Sequence, residues 1–264
     1  MKIGVFDSGI GGLLILRALV HEMPKYDYLY LGDTKRVPYG NRSQKEIYRF
    51  LEEAVDFLFK KNCGLIVVAC NTASAEALRK IQQEYLPRHY PKRRVLGVII
   101  PTVEEALSGG KIKRIGLLAT ESTVRSVAYI REAKKIDPKV KIFQEAAPLL
   151  VPIIENDGAG WAEPVVRVYL RPLMQKKVGA ILLGCTHYPV LKKMIQNISG
   201  VSVISQNEII PGKLKNYLKR HPEIEKQLAK QSRYELLVTD IVPTYQRLSH
   251  QWFGKKIKLK KVVL

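Results

Sequence analysis

Short apolar segments alternate with longer amphipathic segments along almost the whole 264-residue chain, and this alternation restricts its fold more than any other feature. The apolar segments are continuous runs of aliphatic and β-branched residues, which is typical of strands that are covered on both faces. Strands that alternate with helices pair in parallel, because a parallel connection needs a crossover of helical length. We therefore predict an α/β fold of the doubly wound type with mainly parallel sheets.

The boundaries of these elements follow from the hydrophobic pattern. The predicted strands are Ile3–Phe6, Tyr28–Leu31, Leu65–Ala69, Val95–Ile99, Ile115–Ala119, Ile181–Leu183 and Val201–Ile204. The predicted helices are longer and amphipathic, and they cover Ser43–Lys61, Ala73–Glu84, Thr123–Ile136, Trp161–Lys177 and Val190–Gln196.

Two of the strand patterns occur twice, in the same order. Ile3–Phe6 has the sequence IGVF, and Ile115–Leu118 has the sequence IGLL, 112 residues further along the chain. Gly64–Cys70 and Gly179–Cys185 form a second similar pair, 115 residues apart. This repeat predicts two similar α/β halves, each with a cysteine at the carboxyl end of a strand. Ligands of open α/β sheets bind at that end, so we expect both cysteines to face one cleft.

Cys70 and Cys185 each lie where a buried strand gives way to a helix. The N-terminus of a helix favours a thiolate and lowers the pKa of a thiol, which predicts chemistry at both positions. A buried cysteine is also a common core residue, and this alternative stays open for either thiol alone. Cys63 lies outside both patterns, and we interpret it as a core residue. Three cysteines at these distances indicate neither a disulfide framework nor a metal site.

Polar residues beside the strands are further candidates. Asp7 follows the first strand, and Gly11 and Gly12 open the next helix. The glycines allow backbone amides to approach an anion, but the sequence has neither a GxGxxG nor a GxxxxGK[ST] nucleotide motif. Asp7 is either a helix cap or a carboxylate that accepts a proton near a thiol. His187, two residues after Cys185, is either structural or a group that stabilises a thiolate.

The composition limits the class of protein. With 46% hydrophobic residues the chain can bury a sizeable core, and no apolar run reaches the roughly 18–20 residues of a membrane span. The N-terminus has the pattern of a buried strand and not of a signal peptide, so we expect a cytoplasmic protein with no membrane partner. The net charge of +20 is high, with clusters at Lys92–Arg94, Lys111–Arg114 and Lys255–Lys261. Such an excess is typical of nucleic-acid binding, or of a solvated surface that attracts anions in general.

Five segments together resemble the glutamate racemases of the aspartate/glutamate racemase superfamily. They run in the family's order through most of residues 1–195, and their combination is far more specific than any one of them. The matching segments are FDSGIGG (6–12), YLGDTKRVPYGNRS (30–43), VVACNTASA (67–75), ATESTVRS (119–126) and LLGCTHYPVL (182–191). The resemblance implies two α/β domains around a cleft and the interconversion of L- and D-glutamate without a cofactor or a metal. It also implies a supply of D-glutamate for peptidoglycan, the cell-wall polymer.

The resemblance assigns chemistry to particular residues. Cys70 would remove the α-proton of D-glutamate and Cys185 that of L-glutamate, with Asp7 assisting Cys70 and His187 assisting Cys185. Glu155 matches a further acid near the site in that family. The positions that match substrate-binding residues of the family are Asp7, Ser8, Pro38, Tyr39, Gly40, Asn71, Thr72, Thr120, Thr123, Thr186 and His187.

The resemblance also implies an organisation and partners. The loosely similar C-terminal segment 234–264 would fold back onto the first half. The predicted domains are therefore residues 1–97 plus 207–264 and residues 98–206. Glutamate is the expected small-molecule partner, and a homodimer is the expected assembly. Ser205 and Gln206 stand where the family usually has Asp-Ser, which is a departure at the hinge or the cleft rim.

Three alternatives stay open. A racemase of aspartate or another acidic amino acid would share most of these residues, although a histidine after Cys-Thr favours the glutamate enzymes. A nucleic-acid-associated binding protein on the same fold would account for the charge of +20. A redox protein would use Cys70 and Cys185 as a dithiol, which requires the two sulfurs to come within bonding distance.

Overall fold

The structure, a computed structural model, describes residues 1–110, 112–254 and 257–264. Lys111, Lys255 and Lys256, which belong to two of the predicted basic clusters, lie outside the described residues. Among the helices of the described ranges, none combines the length and the apolarity that a bilayer crossing needs.

The described ranges contain ten strands and fourteen α-helical segments. The strands are β1 (Lys2–Asp7), β2 (Tyr28–Gly32), β3 (Cys63–Val68), β4 (Arg94–Gly97), β5 (Arg114–Ala119), β6 (Lys141–Ala146), β7 (Ala180–Gly184), β8 (Ser202–Ile204), β9 (Tyr234–Val238) and β10 (Leu259–Lys261). The helices are α1 (Leu13–Glu22), α2 (Gln44–Lys60), α3 (Asn71–Glu76), α4 (Leu78–Lys80), α5 (Leu86–His89), α6 (Ile99–Leu107), α7 (Glu121–Arg125), α8 (Ala128–Ile136), α9 (Leu150–Glu155), α10 (Glu163–Gln175), α11 (Lys192–Ser199), α12 (Gln206–Arg220), α13 (Pro222–Glu225) and α14 (Pro243–Trp252). Short 3-10 turns lie at Tyr39–Asn41, Gly158–Trp161 and Tyr188–Leu191, and a π turn lies at Ile81–Tyr85.

The strands form two parallel sheets, and the four strands of the second sheet are arranged in the same order as β2-β1-β3-β4 of the first. The first sheet is β10-β9-β2-β1-β3-β4, and the second is β6-β5-β7-β8. β5 therefore occupies the place of β1, and β7 occupies the place of β3. These strands carry the sequence repeat, and the prediction of two similar, mainly parallel α/β units is confirmed. β9 and β10 extend the first sheet beyond β2, while the domain boundaries at 97/98 and 206/207 stay a prediction.

Helices cover both faces of each sheet, as a doubly wound fold requires. In the first sheet, Ile3 and Val5 of β1 belong to the cluster that contains α1 and α12, and Phe6 belongs to the cluster that contains α2. In the second sheet, α10 covers one face, and α6 and α8 cover the other. The largest cluster joins buried residues of both sheets, such as Val5 and Leu183. The two units thus share apolar surface beneath the ends of their central strands.

One predicted strand runs too far. The predicted strand Val95–Ile99 ends at Gly97, and Ile99 begins α6. Periodicity alone does not separate the end of a buried strand from the first turn of a buried helix. The strands β6, β9 and β10 are not predicted by the pattern.

Two predicted helices are interrupted. The predicted helix Ala73–Glu84 is divided at Ala77, whose φ is −126°. The predicted helix Thr123–Ile136 is divided at Val127, which has a left-handed φ of 49°. The helix α8 then begins at Ala128. The Ser126 hydroxyl accepts a hydrogen bond from the Ala128 N–H at 3.2 Å, so the first backbone N–H of α8 has a side-chain acceptor.

Candidate active site

One cleft lies at the carboxyl ends of the central strands of both sheets, and it encloses a cavity of about 310 Å³. This volume is at the small end of the range for ligand sites. Twelve of the residues predicted from the sequence line the cavity: Ser8, Pro38, Tyr39, Gly40, Cys70, Asn71, Thr72, Thr120, Glu155, Cys185, Thr186 and His187. Asp7 and Thr123 lie outside this lining, and direct contact of either with a substrate stays a prediction.

Asp7, the last residue of β1, lies behind the cavity wall. Its Oδ2 accepts hydrogen bonds from the N–H groups of Gly9 and Gly12, each at 3.1 Å, and its Oδ1 accepts one from the Thr186 hydroxyl at 3.3 Å. Burial raises the pKa of this carboxyl above its ordinary value, although the charge of His187 and these hydrogen bonds oppose the rise. Asp7 therefore joins the loop after β1 to the turn after β7.

Cys70 caps the N-terminus of α3. Its sulfur accepts a hydrogen bond from the Ala73 N–H at 3.4 Å, and its thiol donates one to Ser8 Oγ at 3.2 Å. The expectation of a lowered pKa at this helix terminus is wrong for Cys70. Burial, with the charge of Asp7 as the next cause, raises the pKa of Cys70 to about 12 and outweighs the hydrogen bonds. Cys70 is therefore a neutral thiol near pH 7.

Cys185 directly follows β7 and faces a histidine. Its sulfur lies 3.9 Å from Nδ1 of His187, whose Nε2 lies 2.9 Å from Oε1 of Glu155. Burial acts to lower the pKa of His187, but its interactions with Cys185 and Glu155 outweigh burial and raise the pKa to about 10. The ring of Trp252 packs against the His187 imidazole in a T-shaped arrangement, with the ring centroids 5.5 Å apart, and limits the rotation of the imidazole. A protonated imidazole beside the sulfur stabilises the thiolate form of a cysteine.

Two threonines connect the walls of the cleft. The hydroxyls of Thr72, in the helix α3 that follows the first sheet, and of Thr120, directly after β5 of the second sheet, lie 2.9 Å apart. The Thr120 hydroxyl also donates to Thr123 Oγ1 at 3.0 Å. Thr123 therefore supports Thr120 from behind the cavity wall.

Tyr39 lines the cavity, but its hydroxyl is committed elsewhere. It donates to Oδ2 of Asp33 at 2.6 Å. Asp33 is fully buried and also accepts hydrogen bonds from Arg36 Nε at 2.5 Å and from the Thr239 hydroxyl at 2.9 Å. Asp33, which is not among the predicted site residues, therefore holds the loop that carries Tyr39 against the cleft.

Several residues of the cavity wall have no separate signal in the sequence. Most of them flank a predicted residue or follow β6: Gly9, Val37, Asn41, Glu121, Pro148, Val151, Pro152, Asn156, Gly184 and Tyr188. Trp252 is also missed, because its contact with His187 depends on the packing of α14, 65 residues further along the chain.

The raised pKa of His187 predicts a dependence of stability on pH. An unfolded histidine has a pKa near 6.5 and the folded one a pKa of about 10, so the folded state binds the extra proton between these values. This stabilisation is fully present below about pH 6.5 and is lost as the pH rises toward 10. We expect the Tm difference between the unchanged chain and His187→Asn to be largest near pH 6 and to shrink between pH 7 and 10. Calorimetry across this range measures the difference, and a gap that stays constant would contradict the assigned charge.

Comparison with known proteins places this arrangement in a family. The sequence model of the Asp/Glu/hydantoin racemase family matches residues 13–210. A glutamate racemase from Aquifex aeolicus (strain VF5) is 41% identical over 263 residues, which cover 98% of this chain and 97% of that protein.

Solved structures agree with the sequence comparison. A glutamate racemase isoform from Bacillus anthracis superimposes with a TM-score of 0.90 at 32% identity, covering 100% of this chain and 97% of that one. The glutamate racemase from Francisella tularensis, solved in complex with D-glutamate, gives a TM-score of 0.89 at 31% identity over 99% and 97% of the two chains. The chain therefore belongs to the glutamate racemases, within the Asp/Glu/hydantoin racemase family.

Proposed function

We propose that the chain interconverts L- and D-glutamate by a two-thiol acid/base mechanism that needs no cofactor. The observation that supports this most directly is that Cys70 and Cys185 line one cavity from the ends of equivalent strands in the two sheets. Inversion at an α-carbon requires proton removal on one face and proton delivery on the other. Two acid/base groups on separate walls perform both steps without turning the substrate.

The environments of the two thiols indicate which of them acts as the base in each direction of racemisation. Cys70 is neutral, and Cys185 faces a protonated His187, so with L-glutamate Cys185 takes the α-proton and Cys70 delivers its own proton to the opposite face. In the reverse direction Cys70 must first become a thiolate, and Cys185, after taking a proton from the protonated His187, delivers that proton to the opposite face. Asp7, a buried carboxyl whose pKa is raised, is the group next to Cys70 that can hold the displaced proton. Glu155 keeps His187 charged and oriented.

The weakly acidic α-proton demands stabilisation of the carbanion. Polar groups in a cavity that excludes most water interact more strongly with a developing charge than they do in bulk solvent. We assign this function and the binding of the substrate's charged groups to the polar groups of the cavity wall: Ser8, the backbone around Gly40, Asn71, Thr72 and the backbone of Thr186.

Close packing of Gly11 against the site gives a testable consequence. A Cβ at this position would lie 2.5 Å from Thr186 Oγ1 and 2.6 Å from His187 Nδ1, so both side chains must move. We expect Gly11→Ala to lower kcat/KM for glutamate roughly 10²-fold, because a displacement of about 1 Å can cost that much. Gly212→Ala is the matched control, since nothing lies within 4 Å of its Cβ and it lies in α12. Equal activity of the two variants would contradict the placement of His187.

The wider biological assignment rests on the same similarity. We propose that the D-glutamate serves peptidoglycan synthesis, that the protein acts in the cytoplasm, and that residues 1–97 plus 207–264 and residues 98–206 are its two domains. A homodimer and nucleic-acid binding through the charge of +20 stay predictions.

Optical rotation of acidic amino acids tests the proposed function. The purified, reduced protein with no added cofactor is expected to drive D-glutamate to a racemic mixture. D-aspartate is expected to react about 10²-fold more slowly, because a side chain shorter by one methylene loses contacts worth up to that factor. No turnover of any acidic amino acid by a folded protein would contradict the proposal. In that case, steeply salt-dependent nucleic-acid binding would favour the alternative of a binding protein.

A further inference from the structure

A closed hydrogen-bond network joins Asn71, which lines the cavity, to Tyr129 and Gln206, which lie outside the cavity lining. All three side chains are buried, with exposed fractions of 2%, 0% and 1%. Asn71 Nδ2 donates to Gln206 Oε1 at 2.8 Å, and Gln206 Nε2 donates to Asn71 Oδ1 at 2.7 Å. Gln206 Nε2 also donates to the Tyr129 hydroxyl at 2.8 Å, and that hydroxyl donates to Asn71 Oδ1 at 2.7 Å.

The network uses almost every polar atom of its members. An amide side chain offers two N–H donors and an oxygen with two lone pairs. Gln206 commits both of its donors, and Asn71 Oδ1 accepts two hydrogen bonds. Asn71 Nδ2 commits one donor, to Gln206. The second N–H of Asn71 is therefore the donor that the network leaves unused.

The positions of the three residues connect the network to the site. Asn71 directly follows Cys70 and lines the cavity, whereas Tyr129 and Gln206 do not. Asn71 begins α3, which follows the first sheet, Tyr129 lies in α8, beside the second sheet, and Gln206 begins α12. The paired amides fix the orientation of the Asn71 side chain, because a flipped Asn71 amide would set donor against donor and acceptor against acceptor.

We propose that Gln206 is a positioning residue that acts through Asn71. It holds the Asn71 oxygen inside the network and leaves the second N–H for a carboxylate of the substrate. This inference rests on the proposed racemisation of glutamate. A hydrogen bond to a carboxylate that is equally strong in the bound substrate and in the transition state affects KM and leaves kcat nearly unchanged. Gln206 therefore contributes to substrate affinity without touching the substrate.

Steady-state kinetics of Gln206→Met tests this inference. Methionine keeps the approximate volume and removes the amide, so we expect KM for glutamate to rise about tenfold with kcat within about twofold. Gln206→Ser, which removes the amide and leaves room for water, must give the same rise, so that the test does not depend on the packing of one variant. Gln82→Met is the control for loss of a glutamine amide away from the site: Gln82 is exposed, it lies outside the cavity lining, and its Nε2 donates to the Val95 carbonyl at 2.7 Å.

A double-mutant cycle separates positioning from plain stabilisation. In an Asn71→Ala background, Gln206→Met is expected to cause no further rise in KM, because the group through which it acts is gone. A lowered Tm with an unchanged KM, or KM effects that add in the double variant, would overturn the inference and leave the racemase assignment intact. Absence of glutamate turnover in the unchanged protein would overturn both.

Discussion

Serine at either Cys70 or Cys185 is expected to lower kcat/KM for glutamate on the order of 10⁴-fold in both directions. Each thiol is the base in one direction and the acid in the other, so the loss of either group removes one half of every turnover. A serine hydroxyl has nearly the same shape, but it does not ionise near neutral pH. Circular dichroism of D- and L-glutamate, followed separately, measures the loss.

Cys63 provides the matched control for the two thiols. It is fully buried in the core at the start of β3, and burial raises its pKa to about 12. Cys63→Ala is expected to reduce stability, because it leaves a small void, and to keep kcat/KM within a few-fold of the unchanged chain. Retention of substantial activity in Cys70→Ser or Cys185→Ser would contradict the two-thiol mechanism.

Asp7→Asn is expected to lower kcat/KM for glutamate by about 10³-fold. The amide oxygen can still accept the hydrogen bonds from Gly9 and Gly12, so the loop keeps its geometry. The variant loses the carboxylate that holds a proton next to Cys70. The loss therefore falls on proton transfer, and kcat should decrease far more than KM rises.

Asp27→Asn is the control for a buried aspartate. Asp27 is also buried, and its Oδ1 accepts hydrogen bonds from the N–H groups of Gln231 and Arg233 at 2.8 and 3.2 Å, but it lies outside the cleft. Its replacement should change Tm and not kcat. If the Asp7 and Asp27 variants lost activity equally, the effect would be one of folding, and the proton-holding function of Asp7 would be wrong.

The part of the fold that the sequence predicts is the part with the strongest apolar pattern. The repeat identifies β1 with β5 and β3 with β7, because central strands of a parallel sheet are buried on both faces and read as continuous apolar runs. The pattern does not predict β6 and β10, which lie at sheet edges and carry polar residues such as Lys141, Gln144 and Lys260. The pairing of β9 with β2 joins segments about 200 residues apart, which local periodicity does not reveal.

The sequence predicts the location of a site residue that directly follows a strand. It does not predict the properties of that residue, such as its pKa, that depend on packing. Cys70 and Cys185 are located by the strands before them, but the pKa of Cys70 depends on burial, which the sequence does not show. The contact of Glu155 with His187 and the amide pair of Asn71 with Gln206 join residues 32 and 135 positions apart. Glu155 and His187 meet where α9 packs beside the turn after β7, within the half built on the second sheet, whereas the amide pair joins elements that follow different sheets.

Racemisation of D-glutamate in D2O, followed by proton NMR at the α-carbon during the first turnovers, distinguishes two acid/base groups from one. With two acid/base groups, the thiol that removes the α-proton is not the one that delivers the new proton. We therefore expect newly formed L-glutamate to carry deuterium at the α-carbon while the remaining D-glutamate keeps its protium. Product that retains the original protium, or unreacted D-glutamate that gains deuterium as fast as product forms, would indicate a single base and contradict the two-thiol mechanism.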